Sequence, residues 1–166
     1  MILRFSQKLA TKLKVRLSAV MPQNENPFAD WTATLFTAGR TPFILLTNTA
    51  SLYSLVFHGR GIPDDARFIA QASDAIREAL EHDGQEAIYQ KFIAPASGIV
   101  QFSKALNRSV TGSMNDLIVH AKMWLTDGDL SPHETSLRLN DIPFSPLQYR
   151  KPREVFGALA EGRRPD

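Results

Sequence analysis

The sequence predicts an α+β protein: a mostly antiparallel sheet with amphipathic helices packed chiefly on one face. Three observations carry that expectation. The chain has 166 residues, 43% hydrophobic and 22% charged, a length at which one core buries roughly 68–70% of the unfolded surface without a staple. Three strand-like runs between residues 31 and 57 are joined by turns short enough to make antiparallel neighbours. Two longer stretches, 65–83 and 114–125, repeat their apolar residues at helical spacing and supply the main cover of the sheet. One domain, 1–166, follows from the length.

Taken in order, residues 1–5 read as a short strand, and Ser6 caps a helix whose Leu9, Leu13 and Leu17 form one apolar stripe. Pro22 and Pro27 bracket a loop. In 31–38, Trp31, Ala33 and Leu35 alternate with Thr32, Thr34 and Phe36; residues 39–42 turn the chain into 43–47, apolar on both faces and therefore central. Residues 48–51 turn again into a strand at 52–57. Asp64 or Asp65 caps the long helix carrying Phe68, Ile69, Ala72, Ile76, Ala79 and Leu80, and Gly84 stops it. A short helix at 86–92 precedes a fourth meander strand at 99–103. The helix at 114–125 points Met114, Leu117, Ile118, Ala121, Trp124 and Leu125 inward. Leu137 and Leu139 suggest a weak strand at 136–140, and Arg138 there would hold a carboxylate such as Asp116. With Pro143, Pro146 and Pro152, residues 141–166 read as an irregular strap, closing on a helical turn at 155–159.

Several chemistries are excluded. No cysteine is present, so there is no disulfide, thiol nucleophile or thiolate-held metal. The longest apolar run, Phe43 to Leu46, has four residues, against the ~18 of a membrane span. The four histidines, His58, His82, His120 and His133, lack metal-ligand spacing. Gly59-Arg60-Gly61 has Asp64 where a dinucleotide fingerprint needs its third glycine. Asp127 and Asp129 open a calcium-loop pattern that fails at Arg138, where a bidentate glutamate is required. No metal and no cofactor is expected.

The informative segment is 107–116, Asn-Arg-Ser-Val-Thr-Gly-Ser-Met-Asn-Asp. Ser113 and Asp116 have capping-box spacing, and Gly112 before them permits a sharp entry into a helix. The bland reading is a strand-to-helix corner. The functional reading is an anion pocket at that helix start, formed by Arg108, Ser109, Thr111, Gly112, Ser113, Asn115 and Asp116. Trp31, Tyr53 and Asn48 read as packing and turn residues.

Lys plus Arg number 19 against 17 acids, too small an excess to argue for nucleic acid alone. The distribution says more. Residues 1–20 hold Arg4, Lys8, Lys12, Lys14 and Arg16 and no acid, 64–86 is acidic, and the tail is basic again through Arg150, Lys151, Arg153, Arg163 and Arg164. Solvated helix faces explain most such segregation; a phosphate-binding face is the functional alternative. No apolar secretory h-region precedes the basic stretch, which reads as folded structure.

Four segments in order, the Met-Ile-Leu-Arg-Phe-Ser-Gln-Lys-Leu opening, 30–35, 107–116 and Leu137-Arg138-Leu139 leading to Ile142-Pro143, resemble a bacterial family defined only as a domain of unknown function. Related segments occur fused to plasmid-borne open-reading-frame proteins. The resemblance runs from residue 1 to about 147 and implies a bacterial cytoplasmic protein, with no activity attached. This chain departs from the pattern in lacking an acid in 48–51 and in having Ser6 where cysteine or threonine is commoner.

The function these features favour is a non-enzymatic binding or regulatory module, acting on a protein or nucleic-acid partner through the basic N-terminus. The alternative is an enzyme acting on a phosphoester, Arg108 clamping the phosphate and Asp116 serving as base or metal ligand. A homo-oligomer is the third reading, and no membrane partner is expected.

Overall fold

The computed structural model describes residues 1–163; Arg164 of the basic tail lies outside them. Five strands, β1 (Ile2–Phe5), β2 (Asp30–Ala38), β3 (Thr41–Asn48), β4 (Ser54–His58) and β5 (Gln101–Ser103), form one sheet in the order β4-β3-β2-β1-β5. The fold is α+β, as expected, but the sheet is mixed. The β2-β3-β4 meander is antiparallel, Gly39 (φ 62°) making its first turn, whereas β1 runs parallel to both β2 and β5. Chain length between the strands is the reason. Residues 6–29 separate β1 from β2, and 59–100 separate β4 from β5, long enough to return each strand to the same end of the sheet.

The helices are α1 (Gln7–Leu13), α2 (Asp65–His82), α3 (Glu86–Ile88, continuing as a π-helical Tyr89–Ile93), α4 (Arg108–Thr126), α5 (Pro132–Leu139) and α6 (Pro152–Leu159). They cover both faces, not one. On β3, Ile44 and Leu46 join a core with Phe68, Ala72, Ile76 and Leu80 of α2 and with Leu9 and Leu13 of α1. Phe43 and Leu45, pointing the other way, join Met114, Leu117 and Ala121 of α4. Both sides of a strand apolar throughout must be covered, so the two long helices sit on opposite faces.

Three local expectations are overturned. Residues 136–140 lie in a helix and its cap: Ser131 Oγ accepts from Glu134 N (3.1 Å), Glu134 Oε2 accepts from Ser131 N (2.9 Å), and Pro132 occupies the first helical position. In the strap expected at 141–166, the helical turn expected at 155–159 is the end of a longer helix, α6, with Pro152 starting it and Val155, Phe156 and Leu159 buried. The helix of 114–125 begins earlier, at Arg108.

α5 also closes the β4 edge. Asn140 Oδ1 accepts from Ser54 N (2.7 Å) and its Nδ2 donates to Ser54 O (2.8 Å); Ser136 Oγ accepts from Val56 N (2.8 Å) and lies 3.3 Å from Val56 O. Two side chains thus occupy hydrogen-bonding groups of the edge that a sixth strand would otherwise use.

Candidate functional site

Segment 107–116 is helical almost throughout. Asn107 is the N-cap, its side-chain oxygen accepting from Val110 N (3.0 Å), so Gly112, Ser113 and Asp116 lie inside α4 and no corner forms at Gly112. Asn107 supplies the same hydrogen bond that Ser113 was expected to give, about 1.7 turns earlier. Arg108 and Ser109 are exposed in the first turn, Thr111 Oγ1 donates to Arg108 O (3.2 Å), Ser113 turns inward at 7% exposure, and Gly112, Asn115 and Asp116 face solvent. Eight residues separate Arg108 from Asp116, about 12 Å along the axis, so the expected clamp and base do not converge on one phosphate. The segment instead borders two small hollows. One, of about 190 Å³, takes Ser109 and Val110 beside Thr49; the other, of about 170 Å³, takes Thr111, Met114 and Asn115 beside Thr32 and Thr34.

The five N-terminal cations divide. Arg4 is fully buried: Nε and Nη2 lie 2.8 and 2.9 Å from the two Asp30 carboxylate oxygens, Nη1 donates to Met21 O (2.7 Å) and Nη2 to Pro22 O (3.0 Å). It belongs to the fold and not to a basic surface. Lys12 donates to Gly59 O (2.9 Å), which ties α1 to the loop carrying Arg60. Lys8, Lys14 and Arg16 are exposed and have no ion-pair partner among the described residues. The Ser18–Ser103 bridge places exposed Lys104 beside the segment that follows Arg16. The acids nearest Arg60 in sequence are engaged by α2 itself: Asp64 Oδ1 accepts from Arg67 N and Asp65 Oδ1 from Ala66 N, both at 2.9 Å.

A third place was not foreseen. Where α2 ends, against α5 and the start of α6, a cleft of about 430 Å³ is lined by His82, Asp83, Glu134, Leu137, Arg138, Asp141, Ile142 and Arg153. The Asp83 side chain is 3% exposed; Tyr53 Oη donates to its Oδ2 at 2.6 Å, His82 Nδ1 lies 3.3 Å from Oδ1, and Arg153 Nη1 lies 3.9 Å away. Burial, reinforced by the Asp83 hydrogen bond, pushes the Tyr53 hydroxyl far above the ordinary tyrosine value. The Lys151 hydrogen bond, with Arg153 beside it, holds the Asp141 carboxyl below its usual value. Arg138 does not hold Asp116; its guanidinium lies 5.1 Å over the Trp124 ring. Of the groups that contact Asp83, only His82 adjoins it in sequence; Tyr53 and Arg153 arrive from elements far along the chain.

Among the described residues, no group of three or more potential metal ligands is assembled, and no helix is long and apolar enough to cross a membrane. These features define an α+β protein with a mixed five-stranded sheet and a helix-walled charged cleft. Residues 2–155 match the family described as "Domain of unknown function (DUF6933)", and the chain belongs to that family. No curated protein matches the chain.

Proposed function

We propose that this protein is a non-enzymatic binding module whose α1 surface takes a nucleic-acid partner. One observation carries the reading: Lys8, Lys14 and Arg16 stand exposed on one short helix and its exit, without carboxylate partners among the described residues. Arg60 and Lys104 extend the same positive region from the loops that Lys12 and Ser18 hold against it. Such a surface engages phosphates through charge, with little base specificity. We assign the protein to the bacterial cytoplasm, in keeping with the family resemblance of segment 107–116.

Fluorescence anisotropy with labelled duplex and single-stranded oligonucleotides, across a salt series, tests this. Affinity should fall as salt rises. The triple variant Lys8→Glu, Lys14→Glu, Arg16→Glu should bind at least about tenfold more weakly with an unchanged Tm, its log–log salt slope shallower by about 1 for each phosphate no longer neutralised. No binding at low salt, or binding indifferent to salt, removes the nucleic-acid reading. A second copy of the chain is the other partner with an observation behind it: Val119 and Met123 stand 67% and 48% exposed, one turn apart on α4. A monomeric mass at all concentrations removes that reading.

A further inference from the structure

We propose that the outer face of α4 is an isologous dimer interface, on which a second copy of the chain lays its own α4 antiparallel about a twofold axis at Val119. This rests on the reading of a second copy as a partner and adds to it the helix, the direction and the register. It is independent of the α1 surface.

α4 buries Val110, Met114, Leu117 and Ala121 against the sheet. The opposite side carries Gly112, Val119 and Thr126 in line at seven-residue spacing, with Asn115 and Lys122 along one flank and Asp116 and Met123 along the other. All of these are exposed. A stripe that repeats every seven residues is the pattern by which two helices meet along their length. Neither Asp116 nor Lys122 has an ion-pair partner among the described residues.

The stripe is complementary to itself in one arrangement. A twofold axis at Val119 that reverses the second helix sets each residue against the one equally far on the other side of Val119. Asp116, three before it, then meets Lys122 of the other copy, three after it, and the symmetry makes the same pair twice. Val119 meets itself, and Asn115 meets Met123. Gly112, with nothing within 4 Å of where a side chain would begin, receives Thr126. A parallel pair would instead oppose Asp116 to Asp116 and Lys122 to Lys122. Moving the antiparallel axis one turn back puts Asp116 on itself, and one turn forward sets Val119 opposite Asp127. Charge thus selects both direction and register, as flanking charges do in coiled coils. The contact is a weak one: a single helix pair lies at the small end of specific interfaces, below about 1,200 Å², and exposed ion pairs contribute little each.

Sedimentation velocity of the full chain across the micromolar range tests the interface, and wild type should pass from monomer to dimer. Lys122→Glu and Asp116→Lys each turn both ion pairs into like-charge contacts. Each should raise the dissociation constant by about tenfold or more at unchanged Tm. The double variant Asp116→Lys, Lys122→Glu exchanges the partners and should regain wild-type association, which a merely structural effect of either change would not allow. The chain has no cysteine, so Val119→Cys introduces a single thiol that should link two copies on mild oxidation. Thr126→Cys alone should not link, because the two copies of that position lie about 21 Å apart along antiparallel helices. A monomeric mass at all concentrations overturns the proposal together with the second-copy reading. A dimer that both single variants keep, a double variant that stays dissociated, or Thr126→Cys linking as readily as Val119→Cys overturns the α4 interface and leaves that reading standing.

Discussion

At the scale of single residues, the Arg4–Asp30 pair shows how a charge read as surface becomes interior. Both side chains are fully buried, and the pair is bidentate; Asp30 also accepts from Asn24 N (2.9 Å) and Thr49 Oγ1 (2.8 Å), and Arg4 secures two carbonyls of the 14–29 loop. Removing one partner strands the other charge, so Arg4→Ala should cost about 3–5 kcal/mol in a urea titration. A loss below about 1 kcal/mol would mean that water reaches Asp30 in the native state. The strand at 1–5 was legible, but the sequence held nothing to link Arg4 with a carboxylate 26 residues away. Tyr53 gives a pH prediction. Its hydroxyl is raised in the folded state, so its contribution is fully present below the unfolded value of about 10 and is lost as pH rises beyond it. Tyr53→Phe should therefore cost about 1.5–3 kcal/mol at neutral pH, where Asp83 is deprived of a donor, and progressively less above pH ~10. Parallel alkaline limbs for the two proteins would contradict the Tyr53–Asp83 bond.

At the scale of elements, the helix starts were legible where the capping side chain was recognised and misplaced where another residue was taken for it. Ser6 and Asp64 cap as their sequences suggested, accepting from Leu9 N and Arg67 N. In 107–116 the start was placed at Ser113 behind Gly112, whereas Asn107 caps the helix six residues earlier. Gly112 has open space around it and an ordinary helical backbone, so its missing side chain is only a propensity cost. Gly112→Ala should accordingly stabilise the protein, by about 0.5–1 kcal/mol, whereas a corner there would make the same change destabilising. α5 was missed because Leu137 and Leu139 invite a two-residue period, although Ser131 and Glu134 had the capping-box spacing one turn upstream. Its Glu134 carboxyl is held below the usual value chiefly by the Ser131 backbone N–H. That contribution is present above the ordinary glutamate value and is lost as pH falls through the lower folded one. Glu134→Gln, which can still bond Ser131 N, should flatten the acid limb of a Tm–pH curve while leaving the neutral Tm nearly unchanged. An identical acid limb would place Glu134 outside the cap.

At the scale of the whole molecule, hydrophobic period tells which face of a helix is buried but not which side of the sheet receives it. Hence α2 and α4 were legible as elements and not as opposite layers. Strand direction was legible for β2, β3 and β4, whose turns are short, and not for β1 and β5, whose neighbours are reached through long connections. The charged cleft was illegible for a related reason: it forms only when α6 docks. Prolines made 141–163 look like a strap, yet Pro152 opens a helix whose Phe156 is fully buried against Phe28, Trp31 and Tyr53, with ring centroids 5.0, 6.0 and 4.8 Å away. That docking places Arg153 between Asp83 and Asp141. Phe156 therefore both fills the core and completes the cleft. Phe156→Ala should cost about 3–5 kcal/mol, as truncation of a large buried aromatic does, a large share of a domain's ~5–15 kcal/mol. The cost should appear as a lower urea midpoint followed by Trp fluorescence, because Trp31 lines the vacated space. A loss of stability under about 1 kcal/mol would show that α6 does not hold this side of the core.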